Sequence, residues 1–171
     1  MRKKLPRRLF LTLLAALPPA LAGCSVFGKK KRWDEGLTVA RFLVEARQGD
    51  LASRVRLPVS GTVIGLEARA VLTELDITDV ALAEGELGPL LVFSLTPGAA
   101  RDFYRFTVQN GGRRLVLFVD TLPLGARLID KPVQDGAVMI YPEMERRAAA
   151  DLAQKLRESA ARIQEHIANQ R

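Results

Sequence analysis

Between Thr38 and Arg47 the side chains alternate: Ala40, Phe42, Val44 and Ala46 are apolar, while Arg41, Glu45 and Arg47 are charged. A period of two predicts a half-buried strand, with a short helix as the alternative. Gln48-Gly49-Asp50 breaks the pattern. Val55–Val59 and Thr62–Leu66 read as short extended pieces about a turn at Ser60-Gly61, and Val71-Leu72-Thr73 and Ile77–Ala83 as further apolar or β-branched runs. Glu84-Gly85-Glu86 and Gly88-Pro89 are turn signals. Leu90–Leu95, apolar except for Ser94, predicts an inner strand. Thr96-Pro97 then sets an N-cap hydroxyl before a first-turn proline, whose missing donor costs nothing there. Ala99, Phe103 and Phe106 follow on one helical face, and Asn110-Gly111-Gly112 supplies the turn that ends it. Leu115–Val119 predicts a central strand covered on both sides, and Ala126–Ile129 and Ala137–Tyr141 two more. A final helix is expected from Pro142-Glu143 onward, with acids in its first turn suiting the helix dipole. Its apolar face reads Ala148, Leu152, Leu156, Ile163, Ile167. At 1.5 Å per residue this helix is about 40 Å long, more than strands of about five or six residues cover. Leu152 and Leu156 are therefore expected to face the core, and Ile163 and Ile167 to project beyond it as a partner surface.

The N-terminus follows another rule. A basic head (Arg2, Lys3, Lys4, Arg7, Arg8) precedes the apolar run Leu9–Leu17, which is too short for the roughly 20 residues of a membrane span. Leu21-Ala22-Gly23-Cys24 closes the segment and resembles the lipobox of bacterial lipoproteins, in which the chain is cut before a cysteine carrying diacylglycerol. The resemblance implies cleavage between Gly23 and Cys24, a lipid on Cys24 as the chain's one covalent group, and attachment to a membrane through it. An ordinary secretory signal ending in a chance cysteine is the alternative. Arg7-Arg8-Leu9-Phe10-Leu11 also resembles a twin-arginine export core, with Pro6 and Thr12 departing from its flanks; either route ends in the same compartment. Ser25 after the cysteine, where Asp retains many lipoproteins at the inner membrane, leads us to expect the periplasmic face of the outer membrane. The chain then divides into a signal (1–23), a lipidated tether (24–36), a β-rich part (37–89) and an α+β part (90–171).

Composition changes the picture in one respect. Of 26 Lys and Arg, five lie in the signal and four (Lys29, Lys30, Lys31, Arg32) in the tether, and from Gly36 onward 17 basic residues meet 17 acidic ones. The folded part lacks the concentrated basic field that nucleic-acid binding needs. The tether's charges either meet anionic headgroups or form a solvated spacer, and Trp33 either dips into the membrane interface or rests on the domain edge. With one cysteine, the core must hold without disulfides.

Candidate chemistry is sparse. His166, the single histidine, sits among Arg162, Gln164 and Glu165 and reads as a solvated helix residue. No His/Cys cluster offers a metal site. Asp76, Asp79, Asp120, Asp130 and Asp135 fall at strand ends and turns, where Asp commonly bonds nearby backbone. A carboxylate pair hydrolysing cell-wall or glycan material is the enzymatic alternative.

Residues 90–156 resemble the periplasmic head subdomain of SecD, a subunit of the bacterial preprotein translocase. The resemblance lies in Ser94-Leu95-Thr96 leading into Gly98-Ala99-Ala100 and Phe103, and in the Thr107-x-x-Asn110-x-Gly112 turn. It continues through the Leu115–Val119 strand, Ile129-Asp130-Lys131-Pro132-Val133, Asp135-Gly136, and a closing helix with Ala149, Leu152, Ala153 and Leu156. It implies an α+β module with helices packed on one face of a mainly antiparallel sheet, no catalytic residue and no cofactor. Its expected partner is another envelope protein or a secreted polypeptide. SecD carries membrane spans that this chain is not expected to have after processing, so the expectation is a non-enzymatic, membrane-anchored binding or assembly module. Oligomeric state is left open.

Overall fold

The computed structural model describes residues 33–49 and 52–170. Gly23 and Cys24, with the signal, the lipobox and most of the tether, lie outside the described residues. The described residues form one compact unit.

Among the described residues, eight strands and two α-helices follow one another: β1 (Ala40–Glu45), β2 (Ser53–Arg56), β3 (Val63–Leu72), β4 (Ile77–Gly85), β5 (Gly88–Leu95), α1 (Pro97–Gln109), β6 (Arg114–Val119), β7 (Leu122–Leu128), β8 (Ala137–Ile140) and α2 (Arg146–Ala168), with a 3-10 turn at Glu74–Asp76. The expected α+β class with antiparallel pairing is what forms, as two sheets, ordered β2-β3-β1-β6-β7 and β4-β5-β8. β1, from the N-terminal part, lies in the middle of the larger sheet and bonds to β6, and β4 bonds to β5. The parts expected at 37–89 and 90–171 are thus interleaved in one unit.

The alternation in β1 does its predicted work: Ala40, Phe42 and Val44 enter the main core with Leu115, Leu117 and Val119 of β6. Phe42 meets Phe93 of β5 edge to face, ring centres 5.0 Å apart, joining the two sheets. Both helices feed this core, α1 through Phe103 and α2 through Ala153, Leu156 and Ala160. The register of β1 against β3 slips between Phe42/Leu43 and Leu43/Glu45. A one-residue slip exchanges the faces of a strand. Leu72 therefore shares the Phe42 face, whereas Ile64 and Leu66 turn to the other side. There they form a second, smaller core with Leu57 and the fully buried Val116, so β6 is apolar on both faces, as its sequence predicts.

Glu143 ties down the edges of this second core. Its amide donates to Leu124 O in β7 (2.6 Å), and its carboxylate accepts the amides of Val59 and Ser60 in the β2–β3 turn (2.7 and 2.9 Å). The chain passes β7 so closely that a Cβ at Gly125 would lie 2.4 Å from the Tyr141 carbonyl oxygen. This corrects the expected start of the last helix: α2 begins at Arg146 and has no acid in its first turn, because Glu143 is used as a clamp before it.

The buried face of α2 also differs from expectation. Ala149, Ala153, Leu156, Ser159, Ala160 and Ile163 are buried, Leu152 is half-buried and Ala148 is exposed. Small residues let the helix lie close to β4 and β5, and the buried Ser159 Oγ accepts the Thr38 amide (2.9 Å). Ile163, expected on a partner surface, is only 2% exposed and belongs to the interior, while Ile167 is half-buried. The helix end does not project free, because the entering chain covers it. Trp33 stacks on His166 (centres 4.0 Å apart), Arg162 donates to Trp33 O (2.7 Å), and Gln164 donates to Leu75 O and Ile77 O (3.1 and 3.0 Å). His166 is accordingly a half-buried stacking partner rather than a solvated residue. Among the described residues no helix is long and apolar enough to cross a membrane.

Candidate functional site

Beside the main core, β3 and α1 leave a groove of about 340 Å³. Its floor is apolar: Val71 and Leu72 from β3, Ala99, Phe103 and Phe106 from α1. Glu67, Arg69, Asp76 and Asp102 form the rim.

The walls are fixed by local chemistry. At the start of α1, Thr96 Oγ1 accepts the Ala99 amide (3.3 Å), and the Thr96 amide donates to Asp76 O (2.8 Å). At its end the Thr107/Asn110 motif acts as a fastener. Buried Thr107 donates through its hydroxyl to Tyr104 O (2.9 Å) and accepts the Val133 amide (3.0 Å). Asn110 donates to Phe106 O (2.9 Å) and accepts from Arg113, whose guanidinium also reaches Glu45 O and Glu67. Arg114 forms a two-pronged pair with Glu45. Hydrogen bonds from the Arg114 side chain hold the Glu45 carboxyl below its ordinary range against the opposing effect of burial. Phe103 and Phe106 lie near-parallel, centres 6.2 Å apart, giving the floor a rigid aromatic step.

Each rim carboxylate already has a partner. Asp76 accepts the Thr73 amide and hydroxyl (2.8 and 2.9 Å), Glu67 pairs with Arg113, and Asp102 faces Arg105 at 3.4 Å in solvent. The other aspartates weighed for an acid–base pair are dispersed. Asp79 bridges to Arg157 (3.1 Å), Asp130 to Arg127 (3.5 Å), Asp120 accepts the Val39 amide (3.0 Å) and Asp135 the Ala137 amide (3.1 Å). General acid–base hydrolysis needs two carboxyls flanking one bond, whereas each of these five is engaged by a local partner of its own. Among the described residues no group of three or more His, Cys, Asp or Glu could hold a metal ion. What the groove can do is accept an apolar, extended segment beneath a polar rim. It contains neither Ile163 nor Ile167. Its α1 wall was legible as the Ala99/Phe103/Phe106 face. Its β3 wall was not, although Glu67-Ala68-Arg69-Ala70 carries a period-two signal that joins two predicted pieces into one strand.

No known family profile matches the chain, and no curated protein matches it. Solved structures do. One, described as "Structure and function of a membrane component SecDF that enhances protein export", is 21% identical with a TM-score of 0.55, covering 74% of this chain and 63% of its own. Another, SecDF in a super-membrane-facing form, is 23% identical with a TM-score of 0.57, covering 72% of this chain and 19% of its own. This chain thus spans under two thirds of the first structure and about a fifth of the second. The likeness extends well beyond residues 90–156, which is where the sequence resemblance lay. SecDF is described as a membrane component that enhances protein export, which conflicts with the outer-membrane placement read from Ser25; that placement does not stand. The chain shares the α+β fold found in these SecDF structures.

Proposed function

We propose that the chain is a lipid-tethered, protein-binding module of the cell envelope, cleaved before Cys24 and anchored by lipid on that residue. On this reading the β3–α1 groove receives an extended segment of an exported or envelope polypeptide. The observation that carries it is the groove itself: an aromatic and aliphatic floor, a rim whose carboxylates already have partners, and walls fixed at both ends of α1. A surface of that kind favours apolar contact with tolerance of sequence. The fold it shares with SecDF supports the reading, because that protein is described as enhancing protein export. The lipobox supports the anchor, since two or more acyl chains hold a protein stably on a bilayer.

Photo-crosslinking in membranes tests it. A photoreactive residue replacing Asp102 on the groove rim should yield adducts with other polypeptides, and one replacing exposed Lys155 on α2 should not. Cys24→Ala should abolish both membrane partition and the lipid mass. Equal crosslinking from the two positions, or normal partition of Cys24→Ala, would contradict the proposal.

A further inference from the structure

The described residues carry a basic surface that the groove does not explain. Arg47, Arg54 and Arg56 are all exposed, and none pairs with a carboxylate among the described residues. Arg56 reaches only Gly61 O of its own turn (3.0 Å). From Ala46 to Val63 the sequence holds three arginines against one acid, Asp50. Arg54 and Arg56 lie on β2, opposite Gly65 and Val63, and alternate with Val55, which packs toward the second core. β2 is also the outermost strand of the larger sheet, bonded to β3 alone.

A short edge strand bearing cations resists pairing with its own kind. Adding a second copy would set Arg54 and Arg56 against like charges, which destabilises a cross-strand pair. The same charges favour a strand of opposite sign, so what blocks self-association selects an acidic partner. A lipid surface is the other large polyanion, and the fold argues against it. The chain from residues 1–32 arrives at Trp33, on the C-terminal end of α2, whereas the β2–β3 turn is bonded to Glu143, just before the N-terminal end. Those ends are about 34 Å apart at 1.5 Å per residue. The basic hairpin and Trp33 thus sit near opposite ends of α2.

We infer that the outer edge of β2 receives an acidic, extended polypeptide segment as an added strand, its carboxylates meeting Arg54 and Arg56. This rests on the reading of the chain as a protein-binding module and names the chemistry of what it binds. Main-chain bonds supply affinity in such strand addition, and alternate side chains supply selectivity.

The test uses the full chain, purified with its native N-terminus in non-ionic detergent, and labelled eight-residue peptides read by fluorescence anisotropy at low salt. A peptide alternating Glu with Val should bind, and its counterpart with Lys for Glu should not. Methylating the alternate amides that would bond to β2 should weaken the Glu peptide at least tenfold, as should Arg54→Gln/Arg56→Gln, a neutral exposed change whose melting is checked alongside. Equal binding of the methylated peptide would leave only charge attraction and overturn the inference. Unchanged affinity in the double variant would also overturn it, as would phosphatidylglycerol vesicles that capture the chain through these arginines while the Glu peptide does not bind. If the peptides fail while crosslinks from position 102 persist, the edge inference falls and the groove reading stands.

Discussion

Ile163→Ala is the sharpest probe of how α2 is held. The sequence places this residue beyond the sheet, and the structure buries it to 2% exposure, where it lines a small cavity with Ala40, Ile77, Val80, Leu156 and Ala160. The substitution removes three carbons, worth about 2.4 kcal/mol at about 0.8 kcal/mol per buried group. A cavity contribution adds to this, since strand backbone on one side and α2 on the other leave little room for collapse. The total should approach about 3–4 kcal/mol, within the range of about 2–5 found for such truncations. For a domain of this size that corresponds to a fall in Tm of roughly 10 °C. Urea unfolding followed by far-ultraviolet circular dichroism should show a lower midpoint with an unchanged slope. Ile167→Ala, at a half-buried position, should cost less than about 1 kcal/mol. A loss below about 1 kcal/mol for Ile163→Ala, or equal losses for both, would refute the argument that the entering chain and β4 enclose this end of the helix.

Gly125→Ala drives a Cβ against the Tyr141 carbonyl and should destabilise by about 2 kcal/mol or more. Gly98→Ala, in the first turn of α1 with no atom near its Cβ, should stabilise by about 0.5 kcal/mol; paired thermal melts check both. Thr107→Val keeps the shape but orphans the Val133 amide and should cost about 1–3 kcal/mol, read by the same melts. Burial works against ionisation of Glu143, but bonds from the Ser60 side chain and the Ser60 and Val59 amides outweigh it and hold the carboxyl below its ordinary range. A depressed carboxyl stabilises the fold above its unfolded pKa and stops doing so as pH falls through the folded one. The deficit of Glu143→Gln should therefore be full at neutral pH and fade below a pH of about 4; a deficit constant from pH 7 to pH 3 would contradict the clamp.

Local signals carried much of this fold. The Thr96-Pro97 start of α1, its Phe103 face, the β6 run and the β1 alternation are each decided within a few residues, and the structure has them as expected. The errors lie where distant contacts decide. Residues 63–72 form one strand because β1 and β2 flank it, although Glu67 and Arg69 interrupt its apolar run. Glu143 looks like a first-turn acid until the β2–β3 turn is brought to it from more than eighty residues away. The α2 face rotated toward Ala149, Ala153 and Ala160 because small residues allow close approach, a preference that hydrophobicity alone does not rank. Half of the groove was visible as the α1 face, and the other half depended on the register of β3.

Hydrogen–deuterium exchange on the membrane-tethered chain, with and without an unfolded secreted polypeptide, tests the central claim most directly. The account predicts slower exchange on binding, concentrated in β3 from Glu67 to Leu72 and in α1 from Ala99 to Phe106, with the Ala153–Ile163 segment of α2 unchanged. No protection at any concentration reached, or protection confined to α2, would contradict it.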